Sequence, residues 1–369
     1  MGETLSRCCR FSTTAPAVRL STEEVETPLK IEKAPSKNSG PPKPKKMAVT
    51  DFDFLGELGH GGFGRVYLVR KKNSQEKLAL KIIRKSLLLK TSDQRLTVDE
   101  VFNEKNIMMK SDNPFLVKLQ GCFQDETNVY FLMELMEGGN MFNYVKATKK
   151  QNFSEEQTKF YCAEVVLALE YLHNTMQVIY RDLKPENILF ARDGHVKLGD
   201  FGLAKRADTM QGDAKGTPDF MAPEIYSKKE YTKMVDYWSL GCLIYELLYG
   251  KPAFSSQDKD KGVQRILAGK FTFLSEVSIS DEAKSIITKL LQVKVSNRLG
   301  FNGIDEIKNH PFFASIDWKA MLAKKVTPPI QNLELKFNKI TTIPELTGPV
   351  GERIDDFTYM PESFPNQQK

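Results

Sequence analysis

Tyr180-Arg181-Asp182-Leu183-Lys184-Pro185-Glu186-Asn187, followed by Asp200-Phe201-Gly202, decides what this chain can be. The run gathers one candidate base (Asp182), one candidate phosphate-binding cation (Lys184) and two oxygen ligands for a hard metal ion (Asn187, Asp200). Phosphoryl transfer needs that set: a carboxylate to take the hydroxyl proton, and oxygens to hold metal on the phosphates. The first segment reads as a loop after a helix. The second reads as a loop after the strand His195-Val196-Lys197-Leu198. Loops on a rigid scaffold commonly carry catalytic groups. Two unrelated polar turns are the alternative, and the other required parts, present in order, argue against it.

Working outward, the helix that ends before this run starts at a capping box, Ser154-x-x-Gln157, and reaches about His173. Its inner part is apolar on most sides, so it is expected to be buried. Helices dominate from there to about Phe313, with a second buried helix from Val235 to Tyr249. The other direction reads differently. Val66-Tyr67-Leu68-Val69 and Leu78 to Ile83 predict strands around the turn Lys72-Asn73-Ser74, and Leu116–Cys122 and Val129–Met133 predict two more. Thr97 to Met109 predicts a helix. A strand-rich part followed by a helix-rich part suggests two lobes with a cleft, a common ligand site.

Composition bounds the alternatives. With 41% hydrophobic and 27% charged residues, the 369-residue chain is an ordinary soluble globular protein long enough for two lobes. Residues 1–50 hold nine Lys/Arg and five Asp/Glu, so +4 of the net +6 lies there. The rest is nearly balanced, which argues against a nucleic-acid-binding surface. No stretch is long and apolar enough to span a bilayer, and there is no secretory signal peptide. Five cysteines without metal or disulfide spacing, three of them (Cys122, Cys162, Cys242) in apolar runs, fit a reducing intracellular compartment. No internal repeat is visible.

Gly59-His60-Gly61-Gly62-Phe63-Gly64 lies between two strand-like runs. Glycines there let backbone N–H groups approach phosphates. An ordinary glycine-rich hairpin is the alternative at this motif alone. A strand follows it instead of a helix, which argues against a dinucleotide-binding turn. Lys81 sits in an apolar strand and needs an anionic partner, for which Glu104 on the following helix is the natural carboxylate.

With these parts in order, residues 53–313 resemble the eukaryotic protein kinases. The glycine loop, Lys81, Glu104, Asp182, Asn187, Asp200-Phe201-Gly202 and Met221-Ala222-Pro223-Glu224 carry the resemblance. Tyr-Arg-Asp in place of His-Arg-Asp, Asn103-Glu104-Lys105, Pro114-Phe115-Leu116-Val117 and Gly216-Thr217-Pro218 are similar to the AGC group, nearest its cyclic-nucleotide-dependent members. The resemblance implies an α+β, bilobal fold: a small antiparallel β lobe with one main helix, a larger helical lobe, and an extended C-terminal tail. The expected organisation is a disordered leader over 1–50, a kinase domain over 51–313 and an AGC-type tail over 314–369. In the tail, Ile354-Asp355-Asp356-Phe357-Thr358-Tyr359 resembles the motif that docks beside the Glu104 helix. Ile354 stands where the group has an aromatic residue, so weaker docking is expected. Thr358 is a regulatory candidate.

The resemblance also implies roles. Asp182 would accept the hydroxyl proton, Lys184 steady the γ-phosphate, and Asn187 and Asp200 hold Mg²⁺. Lys81, oriented by Glu104, would hold the α- and β-phosphates of ATP beneath Gly59, Gly61 and Gly64. Leu58, Val66, Ala79 and Leu189 would enclose the adenine, with Met133 as gatekeeper and the Glu134 and Met136 backbones at its edge. Glu224 and Arg298 would form a buried ion pair. Glu186 and Glu246 would favour serine and threonine acceptors near Arg or Lys, with Thr217 at the substrate. A pseudokinase scaffold is the competing reading, weighed down by the intact catalytic set. A separate cyclic-nucleotide-binding regulatory subunit is a possible partner.

Three departures stand out. Asp213 occupies the position of the usual activating phosphothreonine, with Arg181 and Lys205 at the cations that would bind it. Partial replacement of the phosphate and a solvated loop carboxylate are both open, with Thr209 a fallback phosphosite. Asn140 replaces a glutamate that touches ribose and a substrate arginine. The stretch between Lys81 and Glu104 is longer than in the nearest relatives. Separately, Met1-Gly2-Glu3-Thr4-Leu5-Ser6 matches the myristoylation pattern, and Cys8 and Cys9 follow as palmitoylation candidates. Because one acyl chain anchors only marginally, both together would give a cytoplasmic, membrane-associated protein. A plain leader is the alternative.

Overall fold

Apolar and alternating runs from Phe52 to Glu134 fold into one antiparallel sheet. In the computed structural model the described residues are 47–61, 64–88, 97–149, 151–207, 215–335, 337–340, 346–348 and 350–361. Gly2, Cys8, Cys9, Thr209 and Asp213 lie outside them. The first part comprises β1 (Phe52–Gly61), β2 (Gly64–Lys71), β3 (Lys77–Arg84), α1 (Val98–Lys110), β4 (Leu119–Gln124) and β5 (Asn128–Glu134). The capping box predicted for the later helix has a twin on α1, where Thr97 and Glu100 cap each other. β4 starts later than its apolar run suggests. Leu116 instead bridges Leu198, and a register shift between Leu119 and Gly121 bends the strand.

The large part follows as β6 (Gly139–Asn140), α2 (Met141–Ala147), α3 (Glu155–Glu170), β7 (Val178–Ile179), β8 (Ile188–Phe190), β9 (Val196–Leu198), β10 (Lys205–Arg206), α4 (Pro223–Tyr226) and α5 (Met234–Tyr249). Then come α6 (Lys259–Ala268), α7 (Asp281–Leu290), α8 (Asp305–Lys308), α9 (Trp318–Leu322) and a tail strand, β11 (Asn338–Lys339). The fold is the expected bilobal α+β arrangement. α5 is buried nearly all round, Glu246 being its one residue that is not fully buried, and α3 is buried from Phe160 to Leu169 after a polar first turn. Past Glu170 the α3 backbone widens into a π turn over Tyr171–Thr175. That turn carries the buried His173 to Asp236, 2.7 Å away.

The sheet order is β11-β1-β2-β3-β5-β4. One face packs on α1 through the main core. The other forms a smaller apolar layer (Phe52, Tyr67, Leu80, Tyr130 among others) against which Ile340 and Leu346 of the tail pack. Burying such side chains contributes roughly 1.5–3 kcal/mol each. The tail also reaches the far edge. Cys122 N–H donates to the Tyr359 carbonyl at 2.8 Å, and Tyr359 N–H to the Cys122 carbonyl at 2.9 Å. Phe357 is fully buried against Phe102 and Phe131, while Thr358 is exposed. Ile354 is buried too, and a cavity of about 270 Å³ lined by Leu88, Val98 and Phe102 adjoins it.

Candidate active site

The site forms where two sets of backbone constraints meet. On the sheet side, β3 pairs with β2 and β5 so that Val66 lies opposite Lys81 and Ala79 opposite Met133. β2 can start where it does because a Cβ on Gly64 would lie 2.4 Å from the Ile82 carbonyl. Ala79 and Met136 are buried and Leu58, Val66, Met133 and Leu189 half-buried, as suits a cleft lining that is partly open. The Glu134 carboxylate is held by Lys197 at 2.7 and 2.9 Å and by the Lys118 N–H at 2.7 Å. It is therefore turned to that lysine, and the Glu134 N–H donates to the Lys118 carbonyl at 3.1 Å. Asn140 caps α2, accepting from the Asn143 N–H at 2.8 Å.

Lys81 Nζ donates to Glu104 Oε1 at 2.7 Å and to Asp200 Oδ1 at 2.9 Å. Glu104 is 1% exposed and its Oε2 has no hydrogen-bond partner among the described residues. Burial works against the Lys81 charge, but the Asp200 and Glu104 carboxylates outweigh it and hold the ammonium above the ordinary lysine value. Burial pushes the Glu104 carboxyl upward despite Lys81. Lys81 holds Asp200 below the usual carboxylate range. The Asp200 side chain remains 52% exposed and its φ is +48°. A left-handed backbone at an aspartate costs energy, and such strain clusters at functional sites.

On the helical side, Asp236 anchors the catalytic loop. Its carboxylate accepts the main-chain N–H of Tyr180 at 2.9 Å and of Arg181 at 2.8 Å, as well as His173. Arg181 itself has φ +69° and donates to the Leu203 carbonyl at 2.6 Å and the Tyr231 hydroxyl at 2.8 Å. Lys205 lies on β10, paired with Ile179. Asp182 is buried. Its Oδ1 accepts the Thr217 hydroxyl at 2.7 Å, and its Oδ2 accepts Asn187 Nδ2 at 2.8 Å and lies 2.7 Å from Lys184 Nζ. Lys184 also donates to Thr217 Oγ1 at 2.7 Å. Thr217, expected at the substrate, thus spends its hydroxyl on the catalytic pair. Its threonine-after-glycine context was the only hint of that.

The donor set fits Mg²⁺. Asn187 Nδ2 also donates to the Asp182 carbonyl at 2.8 Å, so the amide group is pinned by its nitrogen. Together with the ionised Asp200 it supplies hard oxygen ligands. Mg²⁺ is bound by one or two such groups plus substrate phosphates and water. Among the described residues no three His, Cys, Asp or Glu side chains cluster as a metal cage, in keeping with that mode.

On α5, the Glu246 Oε2 is buried without a hydrogen-bond partner among the described residues. Burial, then Glu186 and Asp219, push this carboxyl up to about 7, against a smaller opposing pull from Lys146. The predicted Glu224–Arg298 pair is bidentate, at 2.7 and 2.9 Å. The residues that sequence reasoning missed, Asp236, Tyr231, Glu100 and Lys215, act through main-chain or long-range contacts that no local spacing marks.

The protein kinase domain family matches residues 52–313. The human cAMP-dependent protein kinase catalytic subunit PRKX is 40% identical over 298 residues, covering 80% of this chain and 81% of that protein. A RAC family serine/threonine-protein kinase homolog of Dictyostelium discoideum is 40% identical over 293 residues, and the alignment covers 78% of this chain but only 64% of that protein. The Danio rerio serine/threonine-protein kinase Sgk1 is 37% identical over 334 residues, 89% of this chain and 72% of that one. The chain belongs to the protein kinase family, in its AGC group of ATP- and Mg²⁺-dependent serine/threonine kinases.

Proposed function

We propose that this protein transfers the ATP γ-phosphate to serine or threonine hydroxyls that lie near Arg or Lys in protein substrates. The observation that carries the reading is the closed network joining Asp182, Lys184, Asn187 and Thr217, with Asp200 beside it, next to the Gly199 N–H that donates to the Asn187 carbonyl at 2.9 Å, and bonded in turn to Lys81 and so to Glu104. Asp182 orients the acceptor hydroxyl and takes its proton. Thr217 and Asn187 hold that carboxylate in one rotamer, and Lys184 is placed to follow phosphate charge. Lys81, held by Glu104, positions the α- and β-phosphates. Mg²⁺ at Asp200 and Asn187 would neutralise phosphate charge. Positioning and electrostatics supply most of the rate in such chemistry. Glu246 and Glu186 supply the attraction for a basic side chain, and arginine would gain most through bidentate bonds.

Transfer of ³²P from Mg·ATP to arginine-containing serine peptides tests the reading. Asp182→Asn is expected to lose about 10²–10⁴-fold in kcat while still binding ATP. Turnover retained in that variant removes the assignment, and wild-type protein that binds ATP without turnover favours a scaffold. The names of relatives such as the human kinase support a separate cyclic-nucleotide-binding partner, testable by co-purification. The Gly2 pattern with Cys8 and Cys9 supports an acylated, membrane-associated, cytoplasmic protein, and membrane association that survives Gly2→Ala would remove it.

A further inference from the structure

Glu100 and Glu104 lie four residues apart, and so on one face of α1. Glu104 orients Lys81. Glu100 divides its carboxylate between two tasks. Oε2 accepts the Thr97 N–H at 2.8 Å, closing the helix cap, and Oε1 accepts Lys215 Nζ. The cap fixes the carboxylate before the lysine arrives, so little side-chain entropy is lost in making the second bond. Both partners are substantially covered, at 19% and 32% exposure. Burial works against the Glu100 charge, and Lys215 with the cap outweighs it, keeping the carboxyl below its ordinary value.

Lys215 is two residues before Thr217, whose hydroxyl holds Asp182 and Lys184. Between them Gly216 has φ +145°, and a Cβ there would lie 2.9 Å from Met221. The link from Lys215 to the Thr217 hydroxyl is therefore short, and at Gly216 it is packed closely against Met221. One turn further along α1, Asn103 Nδ2 donates to the Ala204 carbonyl at 2.6 Å, just past Asp200-Phe201-Gly202. Two contacts thus tie one helix to both ends of the segment between Asp200 and Thr217.

We propose that the Glu100–Lys215 ion pair is a latch that aligns the two halves of the catalytic site: it sets the rotation of α1, and with it Lys81–Glu104, relative to the segment that positions Asp182. The pair consists of encoded side chains, so the alignment needs no modification to form. Its members are positioning residues that act through Glu104 and Thr217. The inference rests on the kinase reading above for its catalytic readout, but not for its nucleotide-binding one.

The test is a charge swap in the full chain. MgATP affinity by calorimetry, the KM for ATP, kcat and melting temperature are measured for wild type, Lys215→Glu, Glu100→Lys and the double variant. Glu100→Gln is included because glutamine at this position keeps a capping oxygen and removes only the charge. Lys215→Glu and Glu100→Gln are expected to weaken MgATP binding and raise the KM for ATP by about fivefold, with little change in melting temperature. The swap should recover affinity to within about twofold of wild type. Wild-type affinity in both single variants, or a swap no better than the product of its single effects, overturns the latch. A wild type that binds MgATP in this pattern yet transfers no phosphate sinks the kinase reading and leaves the latch standing.

Discussion

Two buried ion pairs, Glu224–Arg298 and Glu104–Lys81, have opposite degrees of completion. Arg298 is fully buried, donates to both Glu224 oxygens, to the Met234 carbonyl at 2.7 Å and to the Gln292 carbonyl at 3.1 Å, and stacks near Trp238. Its hydrogen-bonding demand is met inside the protein. Glu104 keeps a buried oxygen without a partner among the described residues, and Lys81 shares its charge with Asp200, which stays half exposed. A pair satisfied on all sides holds a fold together. A pair left partly unsatisfied beside a cleft is organised for something that enters, and the upward push of burial on the Glu104 carboxyl marks the part left unmet.

That contrast can be broken from either side. Arg298→Ala leaves Glu224 buried and alone, so stability should fall by about 3–5 kcal/mol in denaturant titration. Equal stability in that variant would show that the pair is not structural. Lys81→Met should lower kcat by about 10²–10³-fold, with a smaller loss of stability than Arg298→Ala because Glu104, which burial already pushes upward, can take up a proton when left alone. A loss of melting temperature as large as that of Arg298→Ala would erase the distinction. Next comes pH. Glu246 holds its proton below about 7, so its attraction for a guanidinium is present above that pH and lost below it. The KM for arginine peptides should rise about tenfold between about pH 8 and about pH 6. Glu246→Gln should be flat across that range, and a sloped variant would assign the titration elsewhere. The smallest effect concerns docking. Ile354→Phe should fill the adjoining cavity and raise stability by about 1 kcal/mol. A decrease would mean that the cavity is shaped for the smaller side chain.

Legibility followed the range of the interaction. Asp182, Asn187 and Asp200 were readable because metal-assisted phosphoryl transfer demands oxygen groups at short, fixed spacing. Glu104 was readable because a lysine in an apolar strand must find a carboxylate, and the helix cap at Ser154 because capping is local chemistry. The pairing of Cys122 with Tyr359 uses only main-chain atoms, which leave no mark on residue type. Thr217 bridging Asp182 and Lys184, and Glu100 meeting Lys215, each need two segments brought together by the fold. Asp236 could be placed on a buried helix from its neighbours, but not in contact with the Tyr180 and Arg181 backbone. The π turn at Tyr171–Thr175 was hidden because its residues continue the apolar periodicity of α3.

The tail strand on β1 and the Tyr359 bridge on β4 have a consequence for synthesis. Both edges of the sheet are met, at Gly56 and Glu57 on one side and at Cys122 on the other, by chain that is synthesised after the sheet itself. Strands β1 to β5 emerge early, at about 5–20 residues per second, with two rows of unpaired N–H and C=O groups at their flanks. Until Tyr359 arrives, the nascent sheet is a template for pairing with other chains. A message truncated before the tail would yield a product whose first defect is association, whatever remains of its catalytic groups.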